Sequence, residues 1–322
     1  MHILKDEEYM RRCLQLARNG MQNAKPNPMV GAVIVAEDGR IIGEGYHVRC
    51  GEGHAEVNAF ASVKPEDEHL LHSATIYVSL EPCSHYGKTP PCAELIIKKG
   101  VRRVVCGCID PFAKVKGRGV EMIRQAGIEV TVGVLEAECH KLNKWFMTVN
   151  EKHRPFILLK WAQTANCIIG YRQADNKPAL QLSTPFTKML VHKLRAEYDA
   201  ILVGRITDDM EHPQLNVRDW SGKTPKRLVL DHTSSPQEIL NKLYEEKVQS
   251  LIVEGGAKTL TSFIELGLWD EIRVETAPFA VEDGVAAPVL PKNVAVVSVE
   301  VYDGNEVVTY IKDNKKSSFG IR

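Results

Sequence analysis

The sequence carries no surplus of charge of either sign. Its 322 residues contain 41 lysines and arginines against 41 aspartates and glutamates, so the formal net charge is +0 at pH 7. Proteins that bind nucleic acids or other polyanions over a broad surface usually carry a surplus of basic residues. The balanced charge argues against that class, and we expect no nucleic-acid partner. A local phosphate site remains compatible with it.

Cysteines and long apolar runs are also scarce. The eight cysteines are spread along the chain, and the first residues, MHILKDEEYMRRC, are charged rather than apolar. Sparse cysteines without a signal peptide are typical of reduced thiols rather than of a disulfide framework. No run approaches the roughly 20 apolar residues that a membrane-spanning helix needs. We therefore predict a cytoplasmic protein with no membrane partner.

The chain is longer than one hydrophobic core usually serves, which predicts two domains. Strand-like apolar runs alternate with helical patterns of about ten residues, and this order predicts an α/β fold with parallel strands at its centre. The pattern restarts at the segment EKHRPF, so we predict domains at 1–150 and 151–322. The predicted local elements include a hairpin turn at Asp38-Gly39 and helices at Asp6–Asn19, His54–Val63, Cys92–Lys99, Leu135–Val149 and Thr184–Glu197.

The stretch from Gly53 to Cys92 combines residue types that bind and use zinc. A histidine and a glutamate lie two positions apart at a predicted helix start, and two cysteines follow, each directly after a proline. Catalytic zinc takes three protein ligands and leaves one position open for water. One imidazole and two thiolates favour zinc over other metals. We predict that Zn²⁺ binds to His54, Cys83 and Cys92, and that the catalytic residue beside it is Glu56.

This layout is the signature of zinc-dependent nucleobase deaminases, in which a His-x-Glu precedes a pair of cysteines introduced by Pro-Cys. Two residues usually separate those cysteines, whereas here the eight residues SHYGKTPP do so. The longer loop brings His85 and Lys88 to the edge of the predicted metal site. Basic, hydrogen-bonding side chains suit a substrate with a phosphate group, although the loop taken alone could equally be a solvated surface segment.

A second candidate site follows the strand-like run SLIVEGG. Gly255 and Gly256 join this predicted strand to a predicted helix. Glycines permit close approach of the backbone to a ligand, and a helix N-terminus favours an anion. The pattern is compatible with a phosphate-binding turn and equally with an ordinary tight turn.

Several short segments occur in a characteristic order along both halves. They are PNPMVGAVIV, GHAE, LEPCSHYGKTPPC, IDP, RPFILLKWAQT, DAILVG, PQLNVR and LIVEGG. In this order they resemble the bifunctional riboflavin-biosynthesis family that joins a diaminohydroxyphosphoribosylaminopyrimidine deaminase to a 5-amino-6-(5-phosphoribosylamino)uracil reductase. The resemblance covers nearly the whole chain, and the long loop between the cysteines is specific to the deaminase half.

For the first half, the resemblance implies a cytidine-deaminase-like three-layer sandwich with zinc at the predicted ligands. It also implies that Asn27 and His47 contact the pyrimidine. The residues implied to approach the ribose phosphate are His85, Lys88 and Asp110. The chemistry agrees, because hydrolytic deamination needs an activated water and a group that passes a proton to the leaving ammonia.

For the second half, the resemblance implies a dihydrofolate-reductase-like α/β domain that uses NADPH to reduce the ribosyl group to ribityl. The implied cofactor-binding residues are Ala162, Thr207, Glu211 and Gly256. The implied substrate-binding residues are Arg195, Leu215, Arg218 and Glu254. The family also suggests a homo-oligomer built through this half.

The chain departs from the family pattern in several places. Phe112-Ala113 replaces a usual Asn-Pro, Asn166 replaces the Asp of a usual Ser-x-Asp-Gly, and Glu211 replaces a usual Asp before Pro213. The connection 231–237 lacks a strand and helix that relatives carry. These departures leave an alternative open: a deaminase of another nucleobase or nucleoside with a non-catalytic nucleotide-binding second half.

Overall fold

The computed structural model describes residues 2–86, 90–113, 115–172 and 179–313. The chain divides into two compact units, Met1–His153 and Arg154–Arg322. Each unit has its own sheet and its own buried apolar core. The predicted alternation of strands and helices is confirmed in both.

The first unit is built around a five-stranded sheet. In chain order its elements are α1 (His2–Arg18), β1 (Gly31–Val35), β2 (Ile41–Tyr46), α2 (Ala55–Ala61), a 3-10 helix (Pro65–Ser73), β3 (Thr75–Val78), α3 (Cys92–Lys99), β4 (Arg103–Cys106), α4 (Arg118–Gln125), β5 (Glu129–Val132), α5 (Glu136–Leu142) and α6 (Lys144–Lys152). The strand order is β2-β1-β3-β4-β5. β1 is antiparallel to β2 and β3, whereas β3, β4 and β5 are mutually parallel.

Helices cover both faces of this sheet, which makes a three-layer sandwich. β1 is buried along its whole length, and its side chains alternate between two cores because successive residues of a strand point to opposite faces. Ala32 and Ile34 join the core formed with α2, α3 and α4. Val33 and Val35 join the core formed with α1, α5 and α6.

Glycines in β2 position the start of α2. A Cβ atom at Gly45 would lie 2.3 Å from the backbone nitrogen of Ala59, and one at Gly43 would lie 2.6 Å from its carbonyl oxygen. A larger residue at either position would push the helix away from the sheet. Because His54 is the N-cap of α2, this close contact also places the first predicted zinc ligand.

The predicted extent of one helix is wrong. The stretch Leu135–Val149 forms two helices, α5 and α6, rather than a single longer one. Asn143 lies between them, where its side chain accepts a 2.8 Å hydrogen bond from the Met29 N–H and donates a 2.8 Å bond to the Met29 carbonyl. These bonds reach a segment 114 residues away in sequence, and a local pattern therefore cannot predict them.

The second unit is built around a seven-stranded sheet. Its elements are β6 (Phe156–Thr164), β7 (Ile168–Gly170), α7 (Pro185–Glu197), β8 (Ala200–Gly204), α8 (Arg205–Glu211), β9 (Lys226–Leu230), α9 (Pro236–Glu245), β10 (Ser250–Glu254), α10 (Ala257–Glu265), β11 (Glu271–Ala277), β12 (Val285–Ala286), β13 (Val294–Tyr302) and β14 (Asn305–Lys312). The strand order is β13-β14-β11-β6-β10-β8-β9, and β7 pairs with β12 separately. The five strands from β11 to β9 are parallel, and β14 and β13 are antiparallel additions.

The parallel pairing of β8 with β10 brings two turns together. Parallel strands end at the same edge of a sheet, so the turn after Gly204 lies beside the turn at Gly255. A Cβ atom at Gly255 would lie 3.2 Å from the Gly204 nitrogen, and the positive φ of 151° at Gly255 also favours glycine. This edge forms part of the second candidate site.

The connection from β9 to β10 is short and contains one helix, α9. Ser235 caps α9 in a reciprocal arrangement: its hydroxyl oxygen accepts a hydrogen bond from the Glu238 N–H, and its own N–H donates to the Glu238 carboxylate. β9 and β10 flank β8, so α9 alone carries the chain across one strand. The sheet is therefore continuous here without a further strand.

Candidate active sites

The predicted zinc ligands come from the ends of three elements of the first unit. His54 precedes α2, Cys83 follows β3, and Cys92 is the first residue of α3. His54 Nδ1 lies 3.5 Å from Cys83 Sγ and 3.4 Å from Cys92 Sγ. Among the described residues, this is the His, Cys, Asp or Glu group whose ligand atoms all lie within 4.8 Å of one another.

These separations fit a tetrahedral zinc ion. Zn–N and Zn–S bonds of about 2.0 and 2.3 Å at the tetrahedral angle put nitrogen and sulfur about 3.5 Å apart. The two observed nitrogen-to-sulfur distances are within about 0.2 Å of that value. The ligand types and the spacing together match a catalytic zinc site with three protein ligands.

The thiols of Cys83 and Cys92 are joined by a hydrogen bond, which shifts their pKa values in opposite directions. The Cys92 thiol donates to Cys83, which lowers the pKa of Cys83 to about 4, and the imidazole of His54 acts in the same direction. The pKa of Cys92 is raised by the same hydrogen bond and by burial. Cys83 is therefore the readier thiolate, and a cation is needed to hold both as thiolates.

Glu56 lies in the first turn of α2 beside the ligand group. Its side chain is buried, with 3% of the residue exposed. Burial raises the pKa of Glu56 to about 7. A carboxyl group with this pKa can both accept and donate a proton near neutral pH, which suits general acid–base catalysis.

Asn27 and His47 form one wall near the ligands. Asn27 Nδ2 lies 3.1 Å from His47 Nε2, and His47 Nδ1 lies 3.1 Å from the Gly53 carbonyl oxygen. The carbonyl can only accept, so Nδ1 carries the proton and Nε2 accepts from the amide. The rings of His47 and His54 are 5.3 Å apart. The two predicted pyrimidine contacts therefore lie next to the metal group.

The predicted phosphate residues are placed less completely. Asp110 is buried, and burial raises its pKa to about 6. The ring of His85 lies 5.9 Å from the ring of Phe112, and its buried Nδ1 makes no hydrogen bond within the described part of the chain. Lys88 lies outside the described residues. Both His85 and Asp110 thus contact Phe112: the His85 ring lies against its ring, and the Asp110 carboxylate accepts a 2.8 Å hydrogen bond from its backbone N–H.

The second unit contains a cavity of about 760 Å³ at the carboxyl ends of β6, β8 and β10. Seven of the eight predicted reductase residues line it: Ala162, Arg195, Thr207, Glu211, Leu215, Glu254 and Gly256. Arg218 is not among the lining residues, and its guanidinium group instead bonds to Gln214 and Asn216 in its own loop. A cavity of this size is typical of small-molecule and cofactor sites.

A buried charge cluster forms one wall of this cavity. Arg195 Nη2 lies 2.8 Å from Glu254 Oε2, and Lys160 Nζ lies 3.9 Å from Glu254 Oε1. Burial acts to raise the pKa of Glu254, but Lys160 and Arg195 lower it below its ordinary value. Glu254 Oε1 and Arg195 Nε are buried and have no hydrogen-bond partner among the described residues.

Lys160 was missed at the sequence level. It lies in the apolar run FILLKWAQT, where a single basic residue in a predicted buried strand is the signal that could have identified it. Its register partner in β10 is Glu254, so the two side chains share one face of the sheet.

The glycine turn and α8 are linked at another wall. The Gly256 N–H donates a 3.0 Å hydrogen bond to Thr207 Oγ1, and Gly256 is the N-cap of α10. Burial raises the pKa of Glu211, at the end of α8. Backbone N–H groups at a helix start beside a hydroxyl group form an environment that suits cofactor phosphates.

The departure at Asn166 has a structural role in this chain. Asn166 accepts a 2.7 Å hydrogen bond from Thr164 and donates a 2.7 Å bond to the Val281 carbonyl. Cys167, at the usual glycine position, has a φ of 60°. The turn is thus held by an amide in place of a carboxylate, and it keeps the left-handed conformation that favours glycine.

Comparison with known proteins defines the class. Residues 4–108 match the family described as the cytidine and deoxycytidylate deaminase zinc-binding region, and residues 155–303 match the RibD C-terminal domain. The fold and the two sites define a bifunctional enzyme with a zinc-dependent deaminase domain followed by a reductase domain. The chain is 37% identical over 325 residues to the riboflavin biosynthesis protein RibD of Aquifex aeolicus, covering 87% of this chain and 89% of that protein. It belongs to the RibD family of riboflavin biosynthesis proteins.

Solved structures agree over nearly the whole chain. A diaminohydroxyphosphoribosylaminopyrimidine deaminase/5-amino-6-(5-phosphoribosylamino)uracil reductase from Thermotoga maritima is 35% identical, with a TM-score of 0.86 over 97% of this chain and 100% of that one. RibD of Acinetobacter baumannii is 28% identical, with a TM-score of 0.85 and the same coverage.

These matches confirm the predicted fold class, the bifunctional activity, and the zinc and NADPH requirements. They support the main prediction rather than the alternative with a non-catalytic second half. Within the described ranges, no helix combines the length and the apolar character needed to cross a membrane.

Proposed function

We propose that the first unit deaminates diaminohydroxyphosphoribosylaminopyrimidine and that the second reduces the resulting 5-amino-6-(5-phosphoribosylamino)uracil. The observation that supports this proposal is that each unit contains a cluster of polar groups suited to one of the two reactions. One is the three-ligand group with Glu56 in the first unit. The other is the Lys160, Arg195 and Glu254 cluster, which lines a separate cavity.

In the deaminase site, His54, Cys83 and Cys92 would hold zinc, which supplies a water of lowered pKa for attack on the amino-bearing ring carbon. Glu56 accepts a proton from the attacking water and delivers it to the departing amino group, which leaves as ammonia. Asn27 and the neutral His47 orient the pyrimidine through their hydrogen-bonding atoms. His85, Lys88 and Asp110 lie toward the ribose phosphate in this proposal.

In the reductase site, NADPH supplies the hydride that converts the ribosyl group to ribityl. Thr207 and the start of α10 at Gly256 hold the cofactor phosphates, with Ala162 and Glu211 on the same cavity wall. Arg195 and Glu254, which both line the cavity, bind the substrate through their charged groups. Leu215 and Arg218 lie on the loop beside them.

A coupled assay on the purified chain tests both activities. Ammonia release is measured on addition of the phosphoribosyl-diaminopyrimidine, and NADPH oxidation is then followed by the loss of its absorbance. We expect ammonia release first and NADPH consumption in equal amount afterwards. Ammonia without NADPH oxidation would refute the reductase proposal and leave the deaminase proposal intact.

We also propose a homo-oligomer formed through β13. This strand is at the edge of the sheet, and Val296, Val299 and Val301 are 58%, 56% and 66% exposed. An edge strand with exposed apolar side chains is a ready pairing surface. Sedimentation velocity should give the mass of an oligomer, and Val299→Lys should reduce that mass; a monomeric parent protein would contradict the proposal.

The cytoplasmic location stays a prediction that cell fractionation can check.

His192 makes the reductase site sensitive to pH. The backbone N–H of Arg218 donates a 3.3 Å hydrogen bond to His192 Nδ1, and His192 Nε2 lies 3.2 Å from the Asp219 carboxylate. Burial lowers the pKa of His192, as do the charges of Arg195 and Arg218, while Asp219 opposes them. The lowered pKa keeps the ring neutral until the pH falls below the usual value of about 6.5. Protonation then removes the acceptor for the Arg218 N–H.

We therefore expect the reductase KM for the phosphoribosyl substrate to rise several-fold as the pH falls from about 7 to about 5. The His192→Asn variant places an amide oxygen near the Nδ1 position and does not titrate. Its KM should depend less on pH than that of the parent protein, and the difference separates His192 from titration of the substrate phosphate. Identical pH profiles for the two proteins would rule out the role of His192.

A further inference from the structure

Glu81 is a buried carboxylate immediately before the metal-ligand loop, and no step described above uses it. Only 3% of the residue is exposed. Its Oε2 accepts hydrogen bonds from the backbone N–H groups of Asp110, at 3.2 Å, and Gly117, at 2.8 Å. Its Oε1 accepts from those of Gly119, at 2.9 Å, and Val120, at 3.2 Å. One side chain therefore binds both ends of the segment 110–120.

The charge of Glu81 is compensated by the start of α4. Gly117 is the N-cap of this eight-residue helix, and the two N–H groups that reach Oε1 belong to its first turn. N–H groups at a helix N-terminus that lack a partner within the helix interact favourably with a negative charge, and here two of them donate to Glu81.

The helix also contacts the metal-ligand loop directly. A Cβ atom at Gly119 would lie 1.9 Å from the Pro82 carbonyl oxygen, so only glycine permits this approach. Pro82 is bonded to Cys83, which places the start of α4 against the backbone that carries a zinc ligand. The backbone of Glu81 makes a further link, since its N–H donates a 2.9 Å bond to the Cys108 carbonyl.

We infer that Glu81 is a positioning residue of the deaminase site, which fixes Asp110 relative to Cys83. The Asp110 N–H is held by Glu81, and the Asp110 carboxylate accepts a 2.8 Å bond from the Phe112 N–H. Asp110 is therefore held through its backbone N–H and through its carboxylate. This inference rests on the proposed function, because it takes Asp110 to be a substrate contact.

The Glu81→Gln variant tests the inference with almost no change in shape. Each carboxylate oxygen accepts from two backbone N–H groups, so a glutamine amide must turn its NH₂ toward two donors in either orientation. We expect the KM for the deaminase substrate to rise at least tenfold, with kcat within about threefold and the zinc content unchanged. The matched control is Glu121→Gln, an exposed carboxylate on the same helix, which should keep the parent KM and kcat.

A double-mutant cycle with Asp110→Asn separates positioning from a general structural effect. If Glu81 acts through Asp110, the double variant should have nearly the same KM as Asp110→Asn alone. Additive effects would overturn the inference, as would a parent-like KM in Glu81→Gln or a loss of zinc that accounts for the whole defect.

If Glu81→Gln does not fold, Glu81→Asp is the second variant, because it keeps the charge but shortens the side chain. A parent-like KM in Glu81→Asp would equally overturn the inference. Failure of the proposed function is a different result, because the parent protein would then release no ammonia.

Discussion

Replacing Cys83 by alanine is expected to remove both the metal and the release of ammonia, while NADPH oxidation continues. In the proposed zinc site Cys83 supplies one of three ligand atoms, and its thiol has the lower pKa of the two cysteines. Two remaining ligands hold zinc weakly, and the water that attacks the substrate then keeps a pKa far above neutrality. We expect a fall of at least ~10⁴-fold in the deamination rate.

The measurements are zinc content by atomic emission and ammonia release under saturating substrate. The reductase is assayed separately with the deaminated product and NADPH. Cys50→Ala, at an exposed cysteine, is the matched control and should behave like the parent protein. Full deaminase activity in Cys83→Ala would remove zinc from the mechanism.

Replacing Glu56 by glutamine is expected to leave the zinc content unchanged and to lower kcat for deamination. Glutamine has nearly the same shape, so the buried position beside Cys92 can still be filled. It cannot accept a proton from water or deliver one to the leaving amino group. General acid–base groups contribute about 10²–10⁴-fold, and we expect a fall in kcat within that range.

Zinc content distinguishes this variant from Cys83→Ala, because it should equal that of the parent protein. Glu66→Gln, an exposed carboxylate in the 3-10 helix of the same unit, is the control. An unchanged kcat in Glu56→Gln would exclude Glu56 as the proton carrier, and loss of zinc would make it a ligand rather than a catalytic group.

The candidate metal ligands could be picked out from the sequence because these residues lie at the ends of local elements. His54 is the N-cap of α2, and Cys92 is the first residue of α3. The C-cap of α3 is Gly100, whose left-handed backbone conformation ends the helix. The proline and glycine signals that mark those boundaries act over a few residues. Local sequence signals therefore predict these helix boundaries, although they do not show that the candidate ligands are close in space.

Long-range contacts account for what the sequence could not show. The break at Asn143 depends on Met29, far away in the chain. Lys160 forms an ion pair with Glu254 only because the parallel pairing of β6 with β10 places the two residues side by side. Arg218 resembles a phosphate ligand in sequence, yet it is not among the residues that line the cavity.

The sequence by itself determined the chemistry of this protein: a histidine, a glutamate and two cysteines in a spacing that suits zinc and proton transfer, followed by a strand, two glycines and a helix. Those features are local, and short-range propensities place them. The tertiary structure alone decided which groups meet, because parallel strands bring residues distant in sequence to one edge of a sheet. The reductase cavity and the four hydrogen bonds of Glu81 both arise in that way.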